Sequence, residues 1–242
     1  MAGDYRPGGV FISKELLAQP NAAAQLNAGG VLIQCADGCA SSGVPVPGGL
    51  IHDWFGVVFI PGASLEQVLT FVQDYDHAAA HYAPNVTKSR LLSRSGDFFR
   101  VFLQLRQIEV VTVCFDTDYD VRYMRLDAAH VYSISHATRV AQLAGGSHPS
   151  ELPSAENDGF LWRLDTYWRF EQVPSGVYVQ CRAISLSRDI PPGLGWVVAP
   201  FIKNIPRQSL QFTLTATRAA VLAESHVLAS PDSNSEDKTK GE

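Results

Sequence analysis

The stretch Leu-Ile-His-Asp-Trp-Phe-Gly-Val-Val-Phe-Ile at residues 50–60, with Ala-Ser-Leu-Glu-Gln-Val-Leu-Thr-Phe-Val-Gln at 63–73, decides the fold. The first segment is rich in β-forming residues and ends at Pro61-Gly62, which predicts a strand. In the second, Ser64 and Gln67 have the spacing of a capping box, and apolar residues recur at helical intervals. The sequence therefore predicts a first strand followed directly by a helix.

Downstream, a second short helix at about Tyr75 to Tyr82 precedes a series of β-rich segments separated by turn residues. The predicted strands span residues 86–92, 98–106, 109–116, 119–125, 130–143, 160–171 and 177–188. Apolar and polar residues alternate in the last hairpin, so one face of the sheet is expected to be buried.

A helical region is predicted from about Leu194 to Leu222, with Pro200 and Pro206 separating a first part from a long terminal helix. Its apolar positions keep a spacing of three to four residues at Leu210, Leu214, Thr217 and Val221. We therefore expect this helix to cover the buried face of the sheet.

The flanking segments differ in composition from this pattern. Residues 1–48 are expected to form an N-terminal appendage, with a helix over Lys14–Leu26 capped by Ser13 and then a loop rich in Gly and Pro. Residues 49–225 form the main domain. The polar segment 226–242 is predicted to be a disordered tail.

Composition excludes several classes of function. The chain has 242 residues, with 19 Lys and Arg against 24 Asp and Glu, and no stretch concentrates basic residues as a nucleic-acid surface would. No apolar run reaches the roughly 20 residues that span a bilayer. A soluble protein is expected, either cytoplasmic or exported with a signal peptide that this sequence lacks.

Cysteine and histidine residues give weak indications of metal binding. Cys35 and Cys39 favour a local disulfide or two free thiols over a metal site, because no second pair of ligands has suitable spacing. Cys114 and Cys181 lie in apolar strands as small core residues. His77 and His81 share a helical spacing, but Ala78 stands where a zinc protease would carry Glu. No metal and no other cofactor is predicted.

The order of elements resembles that of the START-like superfamily, also called SRPBCC or helix-grip. The resemblance covers about Gly49 to Ala223, and its local matches are 62–68 with Asp74-Tyr75-Asp76, and Arg188-Asp189-Ile190-Pro191 before Gly195-Trp196. The superfamily includes pollen-allergen-type proteins, lipid-transfer domains and aromatase/cyclases, and the local sequence is similar to bacterial members. The resemblance implies an α+β fold in which a curved antiparallel sheet, with two short helices after strand 1, wraps around a long C-terminal helix.

The resemblance also implies an apolar ligand cavity between sheet and helix. The candidate cavity residues share an apolar or hydrogen-bonding character and a place on the expected concave face or the final helix. They are Phe99, Val101, Leu103, Tyr132, His136, Arg139, Trp162, Leu164, Trp168, Phe170, Leu210 and Leu214, with Val179 and Cys181 beside them.

Two features could add chemistry to such a cavity. In the strand from His130, either Tyr132 and His136 or the set with Ser133 and Ser135 faces inward, and the first set could supply hydrogen bonds or an acid and a base. The strand arginines are expected to pair with outer carboxylates, unless Arg139 turns inward to hold a ligand carboxylate. The sequence contains no convincing catalytic set.

The first expectation for function is therefore a carrier or sensor that binds a hydrophobic small molecule or lipid. The alternative is a cyclase- or hydrolase-like enzyme that acts on a polyketide- or steroid-like ligand in the same cavity. A third possibility is an interaction module that uses the appendage around Lys14–Leu26. No nucleic-acid partner is expected, and the sequence predicts no oligomeric state.

Overall fold

The computed structural model describes residues 11–36, 43–108, 112–143, 159–188 and 195–229. The strands in these ranges are β1 (Leu32–Cys35), β2 (Val44–Val46), β3 (Gly49–Pro61), β4 (Val86–Ser95), β5 (Phe98–Ile108), β6 (Thr112–Arg125), β7 (His130–Gln142), β8 (Leu161–Val173) and β9 (Gly176–Arg188). The helices are α1 (Lys14–Leu17), α2 (Ala22–Asn27), α3 (Leu65–Gln73), α4 (Ala78–His81) and α5 (Gly195–Ala229).

All of these strands belong to one sheet, in the order β1-β3-β9-β8-β7-β6-β5-β4, with β2 paired to β3. Each neighbouring pair is antiparallel. The sheet curves around α5, which packs on β3 and β9. The predicted α+β helix-grip architecture is confirmed.

The face of α5 that the sequence predicts to be buried is buried. Leu214 and Thr217 are fully inaccessible, and Leu210 and Val221 are nearly so. The three apolar residues among them pack with inward residues of β3 and β9, such as Val58 and Val179, in the main core between sheet and helix. Burial of these side chains supplies most of the driving force that holds α5 against the sheet.

The predicted capping box at the start of α3 is confirmed. The Gln67 backbone N–H donates to the Ser64 hydroxyl oxygen at 3.3 Å, and the Ser64 backbone N–H donates to Gln67 Oε1 at 2.8 Å. These bonds satisfy donors that the first turn of a helix leaves unpaired. The helix therefore begins where the sequence predicts it.

Other predicted boundaries are corrected by the structure. β6 runs unbroken from Thr112 to Arg125 instead of forming two strands, because it pairs with β5 and β7 along its length. α5 continues through Pro200 and Pro206, since its buried face compensates for the backbone hydrogen bonds that prolines remove. The glycine-rich region predicted as loop contributes β1 and β2, both paired with β3.

The predicted N-terminal helix divides in two. α1 begins after Ser13, whose hydroxyl accepts from the Leu16 backbone N–H as the sequence predicts. Pro20 and Asn21 then interrupt the helix, and Asn21 has a left-handed backbone with φ of 62°. α2 starts after this turn. Asparagine tolerates that conformation better than most residues.

Residues 11–36 cover part of the outer, convex face of the sheet. Phe11, Ile12, Leu16, Leu26 and Leu32 are buried there in a second apolar cluster. Their partners on the sheet are the outward side chains Val57, Phe59 and Tyr132. The apolar side of the predicted appendage is therefore used in packing against the sheet.

Candidate functional site

A cavity of about 240 Å³, which we call the main cavity, lies between the concave face of the sheet and α5. Inward residues of β8 and β9 and residues of α5 form its walls, among them Leu164, Trp168, Cys181, Ala183, Leu210 and Phe212. The wall is mainly apolar. Such a surface favours the burial of an apolar molecule.

A second cavity of about 200 Å³, which we call the side cavity, lies beneath α3 and α4. Its walls include Val101 and Leu103 of β5, Phe170 of β8 and Phe71 of α3. The two cavities adjoin, because they share the lining residues Tyr82, Val86, Leu105, Leu164, Thr166, Trp168 and Thr213. They therefore lie side by side along the concave face.

Several predicted cavity residues line this space. Leu164 and Trp168 line both cavities, Leu210 and Cys181 line the main one, and Val101, Leu103 and Phe170 line the side one. Trp168 and Phe170 stack in parallel, with ring centroids 6.0 Å apart, as expected for alternate residues on one face of a strand. Phe99, Val179 and Leu214 are buried in the adjacent core but line neither cavity.

Trp162 lies outside the cavities, which corrects the expectation for this residue. The pairing of β8 with β9 shifts by one residue between Leu161 and Arg163, so a bulge turns Trp162 outward and Leu161 inward. The Trp162 side chain is exposed, and the Arg188 guanidinium lies 5.5 Å from the centroid of its ring.

Tyr132, His136 and Arg139 also lie on the outer face. Tyr132 packs beneath the N-terminal segment, and His136 Nδ1 lies 3.3 Å from Asp165 Oδ1. Arg139 pairs with the outward carboxylate of Asp118 at 3.8 Å. None of the three lines either cavity. The inward set of β7 is the alternative one, with Ser133 and Ser135 on the cavity wall.

Sequence reasoning missed a group of buried tyrosines around the side cavity. The Tyr75 and Tyr123 hydroxyl oxygens are 2.8 Å apart, and those of Tyr82 and Thr217 are 3.0 Å apart. Burial raises the pKa of Tyr82 and of Tyr119 to about 12. These phenols are therefore neutral hydrogen-bonding groups at neutral pH. Tyr75 lies between α3 and α4, and Tyr82 directly follows α4. These short segments have no periodic pattern that indicates which side chains face the interior.

Among the described lining residues of the two cavities, no charged side chain is buried. The charged residues that contribute to the walls are Arg106, which is exposed, and Asp74, which is half-exposed and bonded to His77. Burying an unpaired charge is costly, so this wall disfavours an ionised ligand. The geometry gives no support to an inward arginine that binds a carboxylate.

His52 is a buried polar residue at one end of the main cavity. Its Nε2 lies 3.2 Å from the Ser187 hydroxyl oxygen, and within the described residues its Nδ1 has no hydrogen-bond partner. Burial lowers the pKa of His52. The imidazole is therefore neutral at neutral pH, and its protonation must oppose folding.

We expect His52 to make the protein less stable in mild acid. Because its pKa is lower in the folded chain, its stabilising contribution is complete above about pH 6.5 and is lost as the pH falls through the folded value. The wild type should lose stability relative to His52→Phe between pH 6.5 and 5, by at most about 1.4 kcal/mol per pH unit. Melting curves across this range measure the difference.

His77→Gln provides the matched control for that measurement. His77 is exposed, and its hydrogen bond to Asp74 raises the pKa of the imidazole. Its contribution is therefore present in acid and lost at higher pH, so removing it should change the pH profile in the opposite direction. Parallel profiles for the wild type and His52→Phe would contradict the assignment of a buried neutral imidazole.

For two of the four cysteines, Cys114 and Cys181, the structure agrees with the expectation of small residues without a disulfide. Cys181 is buried on the wall of the main cavity and Cys114 is partly buried, both as free thiols. Burial raises the pKa of the Cys181 thiol, so it behaves as a small apolar group. Cys35 is disulfide-bonded. Cys39 lies outside the described residues, as does most of the predicted C-terminal tail.

Comparison with solved structures identifies the architecture. The structure matches the protein TTHA0849 from Thermus thermophilus with a TM-score of 0.51 and 14% identity, over 71% of this chain and 97% of that one. It matches the STAR-related lipid transfer protein from Xanthomonas axonopodis with a TM-score of 0.50 and 17% identity, over 78% and 98%. Human STARD10 matches with a TM-score of 0.51 and 10% identity, over 82% and 74%.

Sequence comparison adds nothing to these matches. No protein-family model matches the chain, and no curated protein is similar to it in sequence. At identities of 10 to 17%, the structural matches establish the fold. The fold expected from the sequence is thereby confirmed: the chain has a helix-grip fold like that of these matched structures.

Proposed function

We propose that this protein binds a hydrophobic small molecule or a single-chain lipid in the space formed by the main and side cavities, as a carrier or sensor. The observation that carries the proposal is a pair of adjoining, largely apolar cavities between the sheet and α5. A folded protein rarely leaves such a volume inside its core unless a ligand fills it.

The size of the space limits the ligand. The cavities measure about 240 and 200 Å³ and adjoin, which places them near the lower end of the range of about 300–1,000 Å³ for drug-sized ligands. This volume suits a molecule of a few fused or linked rings, or one acyl chain. A two-chain phospholipid would require the helix and sheet to separate.

The geometry favours carriage over the cyclase or hydrolase alternative. That alternative depends on Tyr132 and His136 inside the cavity, and both lie on the outer face. The tyrosines that do line the space have raised pKa values and are poor bases near neutral pH.

No helix in the described part of the chain is long and apolar enough to cross a membrane.

A contact quencher can locate the binding site. We expect 4-bromobiphenyl, a neutral apolar molecule, to quench tryptophan emission as it binds with a Kd in the micromolar range or below. Trp168 lines both cavities and Trp162 is exposed outside them, so the two residues form a matched pair. Trp168→Phe should lose most of the quenching, whereas Trp162→Phe should keep nearly all of it.

Either of two results would count against the proposal. Saturable quenching that survives in Trp168→Phe and disappears in Trp162→Phe would place the probe on the surface. No saturable quenching in the wild type would show that the cavities do not accept apolar molecules.

A further inference from the structure

The cavity wall carries more hydroxyl groups than the protein uses for its own hydrogen bonds. Some are engaged: Tyr75 pairs with Tyr123, and the Thr213 hydroxyl donates to the Ser209 carbonyl oxygen at 2.9 Å. Others have no acceptor among the described residues. The hydroxyls that lack a protein acceptor are the ones available for hydrogen bonds to a ligand.

Three hydroxyl side chains on the concave face, Ser135, Thr166 and Ser185, have unused capacity. Within the described residues, the hydroxyls of Ser135 and Ser185 make no hydrogen bond. The Thr166 hydroxyl oxygen accepts from Trp168 Nε1 at 3.2 Å, and its own O–H has no acceptor there. Ser185 is buried and the other two residues are half-buried, so a ligand in the cavities can bond to all three hydroxyls.

The strand register places these three side chains on one face of neighbouring strands, with Ser185 offset diagonally, and we call this set the hydroxyl row. Ser135 of β7 lies directly opposite Thr166 of β8, and Thr166 lies opposite Ala183 of β9, two residues before Ser185. Neighbouring strands are about 5 Å apart. The hydroxyl row therefore runs across three strands, from the side cavity at Ser135 to the main cavity at Ser185.

The remaining wall is mainly apolar, with Val86 and Leu105 in both cavities and Leu210 and Phe212 in the main cavity. Its polar side chains include Ser209, whose hydroxyl already donates to Gln107 Oε1 at 3.0 Å. The hydroxyl row carries no charge that could pair with an ion, so it suits neutral oxygen atoms.

We propose that the ligand is an uncharged, mainly apolar molecule with several hydroxyl or carbonyl oxygens, bound through Ser135, Thr166 and Ser185. The inference rests on the proposed function, which it narrows to an oxygenated ligand class. Each hydroxyl can donate to a carbonyl oxygen or accept from a ligand hydroxyl, so both kinds of oxygen fit the row.

The test uses probes that share one skeleton. Calorimetry would compare trans-stilbene, 3,5-dihydroxy-trans-stilbene and trans-stilbene-4-carboxylate on the wild type. We expect the dihydroxy compound to bind about tenfold more tightly than stilbene, because two net hydrogen bonds supply roughly that factor. The carboxylate should bind more weakly than stilbene.

Variants then assign the difference to the hydroxyl row. In Ser135→Ala/Thr166→Val/Ser185→Ala the roughly tenfold preference for the dihydroxy compound over stilbene should disappear. Because Thr166→Val also removes the acceptor of Trp168 Nε1, Ser135→Ala/Ser185→Ala is measured as a variant that leaves this bond intact. Ser93→Ala, an exposed serine on β4, is the control and should behave as the wild type.

The possible outcomes separate the two proposals. If stilbene binds but the dihydroxy compound binds no more tightly, the hydroxyl row does not contact the ligand. The same conclusion holds if the tighter binding persists in both the double and the triple variant. In either case this inference fails while the proposed function stands. Tighter binding of the carboxylate would overturn the claim of a neutral ligand. If no probe binds the wild type, the proposed function fails, and this inference fails with it.

Discussion

Leu214→Asp should leave the chain unfolded at room temperature. Leu214 is fully buried at the centre of the face that α5 presents to the sheet. The contact is close, because a Cβ on Gly56 of β3 would lie 2.9 Å from Leu214 Cδ1. An unpaired carboxylate there would cost several kcal/mol, a large part of the roughly 5–15 kcal/mol that typically stabilises a domain.

Circular dichroism and thermal melting of Leu214→Asp measure this effect, with Thr215→Asp as the matched control. Thr215 is the next residue of α5 and is exposed, so the same charge there should change stability by less than about 1 kcal/mol. A cooperative melting transition for Leu214→Asp close to that of the wild type would contradict the packing of α5 in the curve of the sheet.

The overall fold could be predicted from the sequence because several independent signals agree. The capping box at Ser64 and Gln67, the alternation in β8 and β9 and the spacing of Leu210, Leu214 and Val221 each have one physical explanation. Each of these signals comes from neighbouring residues, or from one regular spacing of apolar residues along a single helix or strand. The fold class follows from their order along the chain.

Near a bulge, these signals could not predict which side chains of a strand point inward. In β8 the alternation from Phe160 to Phe170 places Trp162 inward, but the bulge between Leu161 and Arg163 reverses the faces at that end. A bulge depends on how two strands pair, and a periodic pattern in one strand does not record it. The pattern is therefore wrong for Trp162 and right for Trp168.

The sequence of the neighbouring strand β6 helps to indicate which side chains of β7 point inward. β6 alternates cleanly, with Tyr119, Val121 and Tyr123 inward and the charged residues Asp120 and Arg122 between them. It pairs Val121 with Ser135. That pairing turns Ser135 inward and His136 outward. The sequence of β7 alone could not decide, because polar residues occupy both of its faces, and the register shift beside Tyr119 obscures the alignment.

A cavity-blocking variant should have the largest effect on binding. Ala183 lies on the wall of the main cavity, directly opposite Thr166 on β8. In Ala183→Phe the added ring would occupy a large share of a cavity of about 240 Å³. Closely packed interiors do not tolerate a ligand and an extra ring in one space. We expect the affinity for an apolar probe to fall by about 100-fold or more, with the fold intact.

The most direct test of ligand binding inside the fold is titration of the wild type and Ala183→Phe with the uncharged fluorophore N-phenyl-1-naphthylamine. Ile184→Phe, an outward residue of β9 opposite Asp53, is the matched control, and melting curves verify that all three proteins are folded. The account predicts saturable micromolar binding to the wild type and Ile184→Phe, and none to Ala183→Phe. Equal binding to folded Ala183→Phe and wild type, or no binding to the wild type, would contradict it.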